Sequence, residues 1–596
     1  MLREDLAAER HPADGGGHAW IEEGPLEVVA GSRHRWTLVY EAGPLGIAEG
    51  GMLFFQAPPF WGWSTPQTVS PGFEGYTTIS GSSPEVRLEP ENFGQQLLGI
   101  RVAGRELRAG ERVTLDYGAG PARARADRYA ESESRFWFAV DGDGDGVRRL
   151  IAEPPRIAIV AGPAERLHLT LTSTAAPEEP VRLTLAILDA AGNAGAELSD
   201  KVRVRLEGPA GLALPPPIRL GAEDRGRREI RLRPTGEGLF RVTADAGGGL
   251  TATSNPLRVA RDHPAILWAD LHGHSGLTDG SGSPADYLAY ARDVAALDVV
   301  ALTDHDHWGL RPLSHHDELW EEIRRETERF HRPGVFVTLL GYEWTSWTHG
   351  HRHVLYFDDH GEVLSAVDPA YESPDKLWAA LRGQPALTFA HHSAGQPVAT
   401  NWDYPPDPEL EPVTEITSVH GSSEAADSPR PVAGAIAGNF VRDVLDRGYR
   451  LGFIGSGDSH DGHPGLAHLA SPSGGLAALV GAERTRESVL ETLRARRVYA
   501  TNGPRILLAV DFDGAPIGST LPAVESGQLR VWAAGAAAIE RVDVVRSGQV
   551  VESVPGGGLE TEVIREIGRL RHGEYLYVRV VQVDGGAAWS SPFFFE

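Results

Sequence analysis

The sequence predicts a multidomain protein that combines one α/β domain with all-β domains. Its 596 residues are more than a single hydrophobic core usually organises. Before residue 262 and after residue 504, short alternating apolar runs are separated by Gly, Pro, Asn and Asp, a rhythm typical of β-sandwiches. Between these regions, strand patterns alternate with amphipathic helix patterns, which is typical of an α/β domain.

These changes of rhythm predict four domains. Residues 1–150 are expected to form an amino-terminal β domain, and residues 151–262 an immunoglobulin-like β-sandwich. Residues 263–504 carry the α/β pattern, and residues 505–596 are expected to form a carboxyl-terminal β-sandwich.

Within residues 263–504, the apolar spacing predicts a parallel, barrel-like order of strands and helices. The ends of such strands on the carboxyl side usually carry the functional residues. The predicted strands are 266–269, 298–302, 335–340, 354–357, 386–389, 413–419 and 451–454, and the predicted helices are 284–296, 314–330, 374–381 and 433–447.

Composition narrows the classes of function. The net charge of −26 argues against nucleic acid or an anionic membrane as a partner, because both favour basic surfaces. Cysteine is absent, so any metal ligands are nitrogen or oxygen atoms. Residues 1–17 are polar and do not resemble a secretory signal, and no apolar run reaches the ~18 residues of a membrane helix. A cytoplasmic location is therefore expected.

Six short segments between residues 270 and 460 are rich in His, Asp and Glu, and most of them end on such a residue. Each lies at or just beyond a predicted strand end, so we expect their side chains to meet at one edge of the α/β domain. Imidazoles and carboxylates are typical ligands of zinc, manganese and iron, which predicts a multinuclear metal site. The segments are residues 270–274, 303–307, 341–343, 390–392, 418–420 and 457–460, with Asp279 close behind the first.

The motifs in this stretch resemble a known family. Asp-Leu-His-Gly-His-Ser, Thr-Asp-Gly, Leu-Thr-Asp-His-Asp and Gly-Ser-Gly-Asp-Ser-His are similar to motifs of the polymerase and histidinol phosphatase (PHP) superfamily of metal-dependent hydrolases. With the flanking β domains, residues 341–346 and 350–356 resemble its DUF3604 or CehA/McbA-like branch. The resemblance implies a distorted (β/α)7 barrel that binds two or three divalent ions, Mn, Zn or Fe.

The resemblance also implies which residues bind these ions. Glu343 would bridge two of them, and the adjacent histidines 391 and 392 remain alternatives for one position. The implied ligands are His272, His274, Glu343 and Asp458 for the first ion; Glu343, His420 and either His391 or His392 for the second; and Asp279, His305 and His460 for the third.

A hydroxide that bridges the ions is the expected nucleophile, since bound metal lowers the pKa of water toward neutrality. Glu343, Asp458 and His460 would act in catalysis as ligands. One of the extra histidines near the site is expected to protonate the leaving group, with His353 as the catalytic candidate and His307, His349 and His351 as alternatives. Asp304 and Asp306 are expected to orient imidazoles that bind metal, with a loop cap as the alternative role of Asp306.

Aromatic and basic residues in the presumed loops are candidates for substrate binding, because aromatic rings beside a metal centre suit a bulky or aryl leaving group. The candidates are Trp308, Trp344, Trp347, His351, Arg352, Trp402 and Tyr404, with Arg352 as the expected phosphate contact.

The expected function is hydrolysis of ester bonds in small molecules, most of all phosphoesters with a bulky or aryl leaving group. A carboxyl-ester or carbamate hydrolase of the CehA type is the first alternative. A carbohydrate-binding or scaffold protein without catalysis is the second, and the sequence leaves the oligomeric state open.

Overall fold

The structure is a computed structural model that describes residues 8–196, 202–207, 210–220, 224–308 and 311–596. The first seven residues of the polar amino terminus therefore lie outside the described residues. The described part of the chain is mostly β, with many sheets, and its five α-helices all lie between residues 284 and 494. None of the helices in this part is long and apolar enough to cross a membrane.

The amino-terminal region forms four small sheets around an aromatic core that includes Trp36, Phe55, Tyr117 and Phe136. The order of strands in its largest sheet is β13-β12-β5-β8-β7. The strands are β1 (His18–Glu23), β2 (Glu27–Val29), β3 (Arg33–His34), β4 (Trp36–Glu41), β5 (Met52–Gln56), β6 (Thr77–Gly81), β7 (Arg87–Asn92), β8 (Leu97–Ala103), β9 (Arg112–Tyr117), β10 (Ala124–Arg125), β11 (Glu131–Arg135), β12 (Trp137–Asp141), β13 (Arg149–Leu150) and β14 (Arg156–Val160).

The next region has its own apolar core, built from residues such as Leu183, Ile187, Phe240 and Val259. Its strands are β15 (Arg166–Leu171), β16 (Thr174–Ala175), β17 (Val181–Leu188), β18 (Val202–Glu207), β19 (Ile218–Leu220), β20 (Arg227–Leu232), β21 (Gly238–Phe240), β22 (Thr243–Asp245), β23 (Thr251–Thr253) and β24 (Leu257–Val259). They form three sheets in the orders β15-β17-β20, β16-β24-β21 and β19-β18-β22-β23.

The central region alternates strands and helices, as its sequence pattern predicts. Its strands are β25 (Ile266–Asp270), β26 (Val299–Leu302), β27 (Val337–Trp344), β28 (Arg352–Tyr356), β29 (Ala386–Ala390), β30 (Val413–Ser418), β31 (Gly421–Ser422), β32 (Gly452–Gly455), β33 (Leu476–Val480) and β34 (Val498–Thr501). Its helices are α1 (Pro284–Asp293), α2 (Asp317–Phe330), α3 (Pro374–Leu381), α4 (Val441–Asp446) and α5 (Arg486–Arg494), with short 3-10 turns at Leu313–His315 and Ala467–Leu469.

The parallel order holds for only part of this region. Strands β25, β26 and β27 pair in parallel, as do β30 and β32, but β28 is antiparallel to both β27 and β29. Residues 345–351 join β27 to β28 without a helix, and so short a connection returns the chain in the opposite direction. The ladders form two sheets rather than one closed ring, so the seven-stranded barrel remains a prediction.

One predicted helix is much shorter than expected. Residues 433–447 were expected to be helical, but α4 covers only Val441–Asp446. Gly434 and Gly438 have φ angles of 64° and 87°, a left-handed conformation that breaks a helix. The apolar spacing of this stretch predicts one continuous helix because it does not reveal the left-handed backbone at these two glycines.

The carboxyl-terminal strands continue the central sheet, because β41 pairs with β34 through residues such as Trp589 and Ala500. The two longest strands of the carboxyl-terminal region have 23 and 22 residues and form a hairpin. The strands are β35 (Leu507–Phe512), β36 (Ala515–Pro516), β37 (Thr520–Leu521), β38 (Val524–Arg546), β39 (Gln549–Leu570), β40 (Tyr575–Gln582), β41 (Ala587–Ser590) and β42 (Phe593–Phe595).

Candidate metal centre

Residues at or just beyond the carboxyl ends of the central strands meet in one buried cluster. His272 and His274 follow β25, and their alternate positions direct both imidazoles to the same side. His305 follows β26, and Glu343 lies near the end of β27. The structure thus brings together all ten residues that the sequence predicts as metal ligands. They are His272, His274, Asp279, His305, Glu343, His391, His392, His420, Asp458 and His460.

Glu343 lies at the middle of this cluster and is only 1% exposed. Four imidazole nitrogens surround its carboxylate, yet neither oxygen accepts a well-aligned hydrogen bond. Nitrogen and oxygen atoms this close, without alignment on one another, fit a shared bound ion better than direct contacts between them. The nitrogens are His351 Nδ1 at 2.5 Å from Oε1, and His274 Nε2, His272 Nε2 and His305 Nδ1 at 3.2, 3.4 and 3.5 Å from Oε2.

Asp458 forms a second centre beside Glu343. Its Oδ1 lies 3.1 Å from His272 Nε2 and 3.4 Å from His274 Nε2, and its Oδ2 lies 2.9 Å from His420 Nε2. The backbone of Asp458 has a φ of 51°, a strained conformation for a residue with a side chain. Such strain is concentrated at functional sites, where it fixes the direction of a side chain.

A third group of possible ligands consists of His274, Asp279, His305 and His460. The carboxylate of Asp279 lies 3.4 Å from His305 Nε2 and 3.5 Å from His460 Nε2. Its other oxygen is 3.8 Å from His274 Nδ1 and has no hydrogen-bond partner. Asp279 is therefore placed to bind an ion together with the three imidazoles.

The histidine pair after β29 lies toward the more open side of the cluster. His391 is buried, whereas His392 is half-buried and has a φ of 32°. Both form a group with His351 that can hold an ion, so the choice between the two stays open. His420 has 50% of its side chain exposed and marks the entrance to the cluster.

Glu415 orients two of the cluster imidazoles, and the sequence reasoning missed it. Its Oε2 lies 3.0 Å from His272 Nδ1 and its Oε1 lies 2.9 Å from His391 Nδ1. With both Nδ1 atoms engaged, the Nε2 atoms of the two histidines face Asp458 and are free to bind metal. A glutamate between the β-branched residues of a strand predicted at 413–419 was the signal that could have revealed it, since a charged residue is rarely buried without a partner.

The two carboxylates that were expected to orient imidazoles have other roles. Asp304 accepts hydrogen bonds from the hydroxyls of Ser275 and Thr278 and from the backbone of Ser275, so it stabilises the loop after β25. Asp306 contacts His307, which lies outside the cluster, and also accepts bonds from the backbone of Thr345. Glu415 performs the orienting role that the sequence assigned to them, and the hydroxyl of Thr345 holds His305 Nδ1 at 2.7 Å.

Two glycines allow the strand ends to approach one another. A Cβ atom on Gly273 would lie 2.2 Å from the hydroxyl oxygen of Tyr287. A Cβ atom on Gly457 would lie 2.6 Å from Asp270 Oδ2, and Asp270 accepts a hydrogen bond from the Gly457 N–H at 2.8 Å. The glycines between the predicted ligands are therefore required by close packing.

The charges of the cluster reinforce one another. Burial alone would raise the pKa of Glu343, Asp458 and Asp279, but the nearby imidazoles hold all three pKa values well below their usual range. Burial alone would lower the pKa of His272 and His274. Instead Asp458, Glu415 and Glu343 raise the pKa of His272 well above its usual value, and Asp458, Glu343 and Asp279 raise the pKa of His274 to about 10.

His391 and His353 have lowered pKa values, in contrast to His272 and His274. Burial lowers the pKa of each well below its usual value, and the positive charge of the nearby His272 lowers both further. Both imidazoles are therefore neutral, which is the form that binds a metal. His353 packs 3.8 Å from the ring of His272, and neither of its nitrogens has a hydrogen-bond partner. It belongs with His272, His391 and Glu415 to one further group that can hold an ion.

Successive residues of β27 and β28 face opposite sides of the sheet, which separates two predicted substrate residues from the cluster. Glu343 and His353 are cross-strand neighbours that face the cluster, whereas the next pair, Trp344 and Arg352, faces away. Arg352 is fully buried and pairs with Glu411 at 3.0 Å, so the structure does not place it at the site as a phosphate contact.

The other aromatic candidates also differ in position. Trp308 stacks on His305 at 4.6 Å, and the 58% exposed Trp347 lies 6.2 Å from His351. Trp402 is buried against Tyr449, and Tyr404 contacts His349 rather than the cluster. Trp308, Trp347 and His351 are thus the predicted substrate residues that lie next to the cluster.

Comparison with known proteins agrees with part of the resemblance. A family model described as "Protein of unknown function (DUF3604)" matches residues 291–431 and 465–526. An uncharacterized protein of Chlamydia pneumoniae is 27% identical over 380 residues, which are 58% of this chain and 59% of that protein. One of Chlamydia trachomatis is 27% identical over 376 residues, 58% of this chain and 60% of the relative. The chain thus spans less than two thirds of the length of these curated relatives.

Among solved structures, the chain is similar to a two-domain protein from Bacteroides vulgatus described as containing a predicted PHP-like metal-dependent phosphoesterase. The sequences are 15% identical and the TM-score is 0.31, with 56% of this chain and 96% of the other covered.

Two further residues contact the cluster at places that the sequence did not predict. His351 was expected to bind substrate, but its Nδ1 is the nitrogen closest to Glu343. Trp61, from the amino-terminal β region, reaches the cluster beside His460 and was not expected there. The pattern of residues 350–353, with histidines at alternate positions of a strand, was a signal for His351. No local pattern announces Trp61.

Proposed function

We propose that the protein is a metal-dependent hydrolase that cleaves ester bonds in small molecules and binds two or three divalent ions. One observation carries this proposal: the carboxylate of Glu343 lies among four imidazoles, with both oxygens buried and without aligned hydrogen bonds. The resemblance of the surrounding motifs to PHP-type hydrolases supports it.

The residues suit this chemistry. Ions bound here would supply a water of lowered pKa as nucleophile and would stabilise negative charge on the substrate oxygen. Glu343 and Asp458 lie at the centre of the ligand set. Glu415 contacts the Nδ1 atoms of two imidazoles and leaves their Nε2 atoms directed at this centre. His420 and His392 lie toward the open side, where a substrate can reach the bound ions. The fully buried His353 has no such access.

Phosphoesters are the first substrate class of the proposal, because a multinuclear centre can contact two oxygens of a phosphoryl group. Carboxyl esters or carbamates are the second class, and one observation favours them. Arg352, the expected phosphate contact, pairs with Glu411 away from the site. The scaffold alternative is disfavoured because the predicted ligand set is complete and its members lie together.

A panel of four substrates tests the proposal. We expect the protein, loaded with manganese or zinc, to hydrolyse p-nitrophenyl phosphate or bis-p-nitrophenyl phosphate faster than p-nitrophenyl acetate or an aryl carbamate. The reverse preference would support the second substrate class, and no turnover of any substrate by protein that contains metal would support the scaffold alternative.

The variant Glu343→Gln should abolish turnover, since it removes the charge at the centre of the ligand set. Glu326→Gln is the matched control, because Glu326 is a mostly buried glutamate on α2 that pairs with Arg329 and lies outside the cluster. Equal losses in both variants would show that folding rather than the site is affected.

A further inference from the structure

A loop of the amino-terminal β region reaches the metal cluster. The indole N–H of Trp61, between β5 and β6, donates a hydrogen bond to the backbone carbonyl of Asp279. The Trp61 ring lies 5.5 Å from the imidazole of His460 at an interplanar angle of 44°. A residue more than 200 positions away in sequence thus contacts two of the proposed ligands.

Trp61 is the end of a row of contacting rings. Trp308 stacks on His305 at 4.6 Å, His305 stacks on His274 at 4.5 Å, and His274 contacts His460 at 4.3 Å. Trp61 then contacts His460, so an indole lies at each end of the third ligand group. Both indoles are half-buried and keep part of their surface accessible, whereas His274 and His305 between them are buried.

A positive charge accompanies Trp61. The guanidinium of Arg128 lies 5.9 Å from the centre of the Trp61 ring and 4.9 Å from that of Tyr129. Arg128 is exposed, its side chain hydrogen-bonds Tyr129, and its charge acts on the buried carboxyl of Asp127. A guanidinium has five N–H donors, so an arginine held over aromatic rings by cation–π contacts keeps its remaining N–H groups available for an anion.

The amino-terminal β region is held against the central region by contacts other than Trp61. Glu131 accepts a hydrogen bond from the backbone N–H of Gly282 at 3.0 Å, and Arg135 pairs with Glu322 on α2 at 2.5 Å. Asn193 of the second β region donates to the carbonyl of Arg128 and lies 3.2 Å from His463 of the central region. The backbone N–H of Arg128 donates to the carbonyl of Trp61 at 3.5 Å, so this segment also supports Trp61 beside the cluster.

We propose that the amino-terminal β region forms a substrate subsite, in which Trp61 binds a planar aryl group beside His460 and Arg128 attracts an anion. The ligand class is an aryl compound with a negatively charged phosphoryl or carboxyl group. The proposal rests on the proposed function for the bond that is cleaved, but the subsite itself can be tested by binding alone.

The test compares two ligands that differ only in their organic group. Phenylphosphonate and methylphosphonate are titrated calorimetrically into the full chain loaded with zinc. We expect the wild type to bind phenylphosphonate about tenfold more tightly, since an aromatic contact and the burial of a phenyl ring contribute that much. Trp61→Ala should reduce the ratio of the two dissociation constants to about 1–2, and Trp61→Phe should retain most of it.

Arg128→Gln should weaken the binding of both phosphonates by the same factor, because its charge acts on the anion that they share. The matched control is the Trp20 and Arg112 pair of the same β region, in which the guanidinium lies 5.3 Å from the indole ring at a place remote from the cluster. Trp20→Ala and Arg112→Gln should change neither ratio nor affinity, and elemental analysis should give the same metal content for all variants.

Two results would overturn the subsite: a wild type that does not prefer the phenyl ligand, or a Trp61→Ala variant that keeps the wild-type ratio. Because the readout is binding, these results are independent of turnover. Failure of the ester panel with a preserved phenyl preference would instead contradict the proposed function alone.

Discussion

Glu415 shows how a single buried residue determines the direction of metal ligands. Each of its oxygens contacts the Nδ1 atom of one imidazole, His272 or His391, and burial raises the pKa of Glu415 to about 7 despite the positive charge of His272. A carboxylate between two imidazoles fixes their tautomers and their ring orientation. The geometry of the cluster therefore depends on a residue that is not itself a predicted ligand.

Replacing Glu415 by Gln should lower metal affinity by ~10–100-fold. An amide is uncharged and has only one acceptor oxygen, so it cannot accept hydrogen bonds from both imidazoles as the carboxylate does. Titration of chelator-treated protein with zinc in the presence of a competing dye measures the change. Glu326→Gln, in the control position on α2, should retain wild-type affinity. An unchanged affinity in the Glu415 variant would remove this residue from the metal site.

At this scale the sequence predicts residue types better than residue roles. The ten predicted ligands meet because each follows or ends a strand, and strand ends can be recognised from apolar runs. Asp304 and Asp306 were given the role of Glu415 because they flank His305 in sequence, whereas the contact that matters joins β30 to residues after β25 and β29. Contacts between distant strands have no local signature.

Strand ends position the site, and the glycines among the ligands make that packing possible. His272 and His274 lie on either side of Gly273, whose backbone packs against the ring of Tyr287 on α1. The N–H of His274 donates to the carbonyl of Ser459, which ties the loop after β25 to the loop that carries Asp458. The spacing of the two loops therefore has little tolerance.

Gly273→Ala should destabilise the protein by ~1–3 kcal/mol, the usual cost of forcing extra volume into a packed interior. It should also weaken metal binding, because the shift separates His272 and His274 from Asp458. Chemical denaturation and metal titration measure the two effects. Gly72→Ala is the control, since a Cβ atom there meets no atom within 4 Å, and an equally mild effect at Gly273 would contradict the packing argument.

The elements themselves were predictable to the extent that apolar periodicity specifies them. The helix at 374–381 was predicted with the bounds of α3, and the strand at 386–389 with those of β29 to within one residue. The antiparallel β28 and the short α4 were not, because the first depends on a loop without a helix and the second on glycine conformation. The long hairpin of β38 and β39 also escaped prediction.

The whole molecule assembles its site from more than one region. The sequence divides the chain at residues 150, 262 and 504 on rhythm alone, and no composition signal links Trp61 to His460. The structure joins them, and it also continues the central sheet into the carboxyl-terminal strands through β34 and β41. The β regions are therefore in direct contact with the functional part of the chain.

The protein without metal should lose thermal stability as the pH rises from 6.5 to 10. Burial alone would lower the pKa of His274, but Asp458 and Glu343 raise it to about 10. The pKa of His272 is likewise raised well above its usual value. A pKa raised on folding stabilises the protein fully below the unfolded value of 6.5, and this stabilisation is lost as the pH rises through the folded value.

Thermal unfolding of the chelated protein across this range measures the effect. The increase in melting temperature on adding zinc should grow with pH, because metal displaces the protons of these imidazoles. Glu343→Gln should show a flatter profile, since it lacks one of the charges that raise the pKa. A melting temperature of the chelated wild type that is constant or rises with pH would contradict this account.

The central claim is that the buried cluster around Glu343 and Asp458 is a multinuclear metal centre. Elemental analysis of protein purified without chelators tests it most directly. The account predicts at least two divalent transition-metal ions per chain in the wild type and a clear decrease in Glu343→Gln. One ion or none in correctly folded wild-type protein would contradict it.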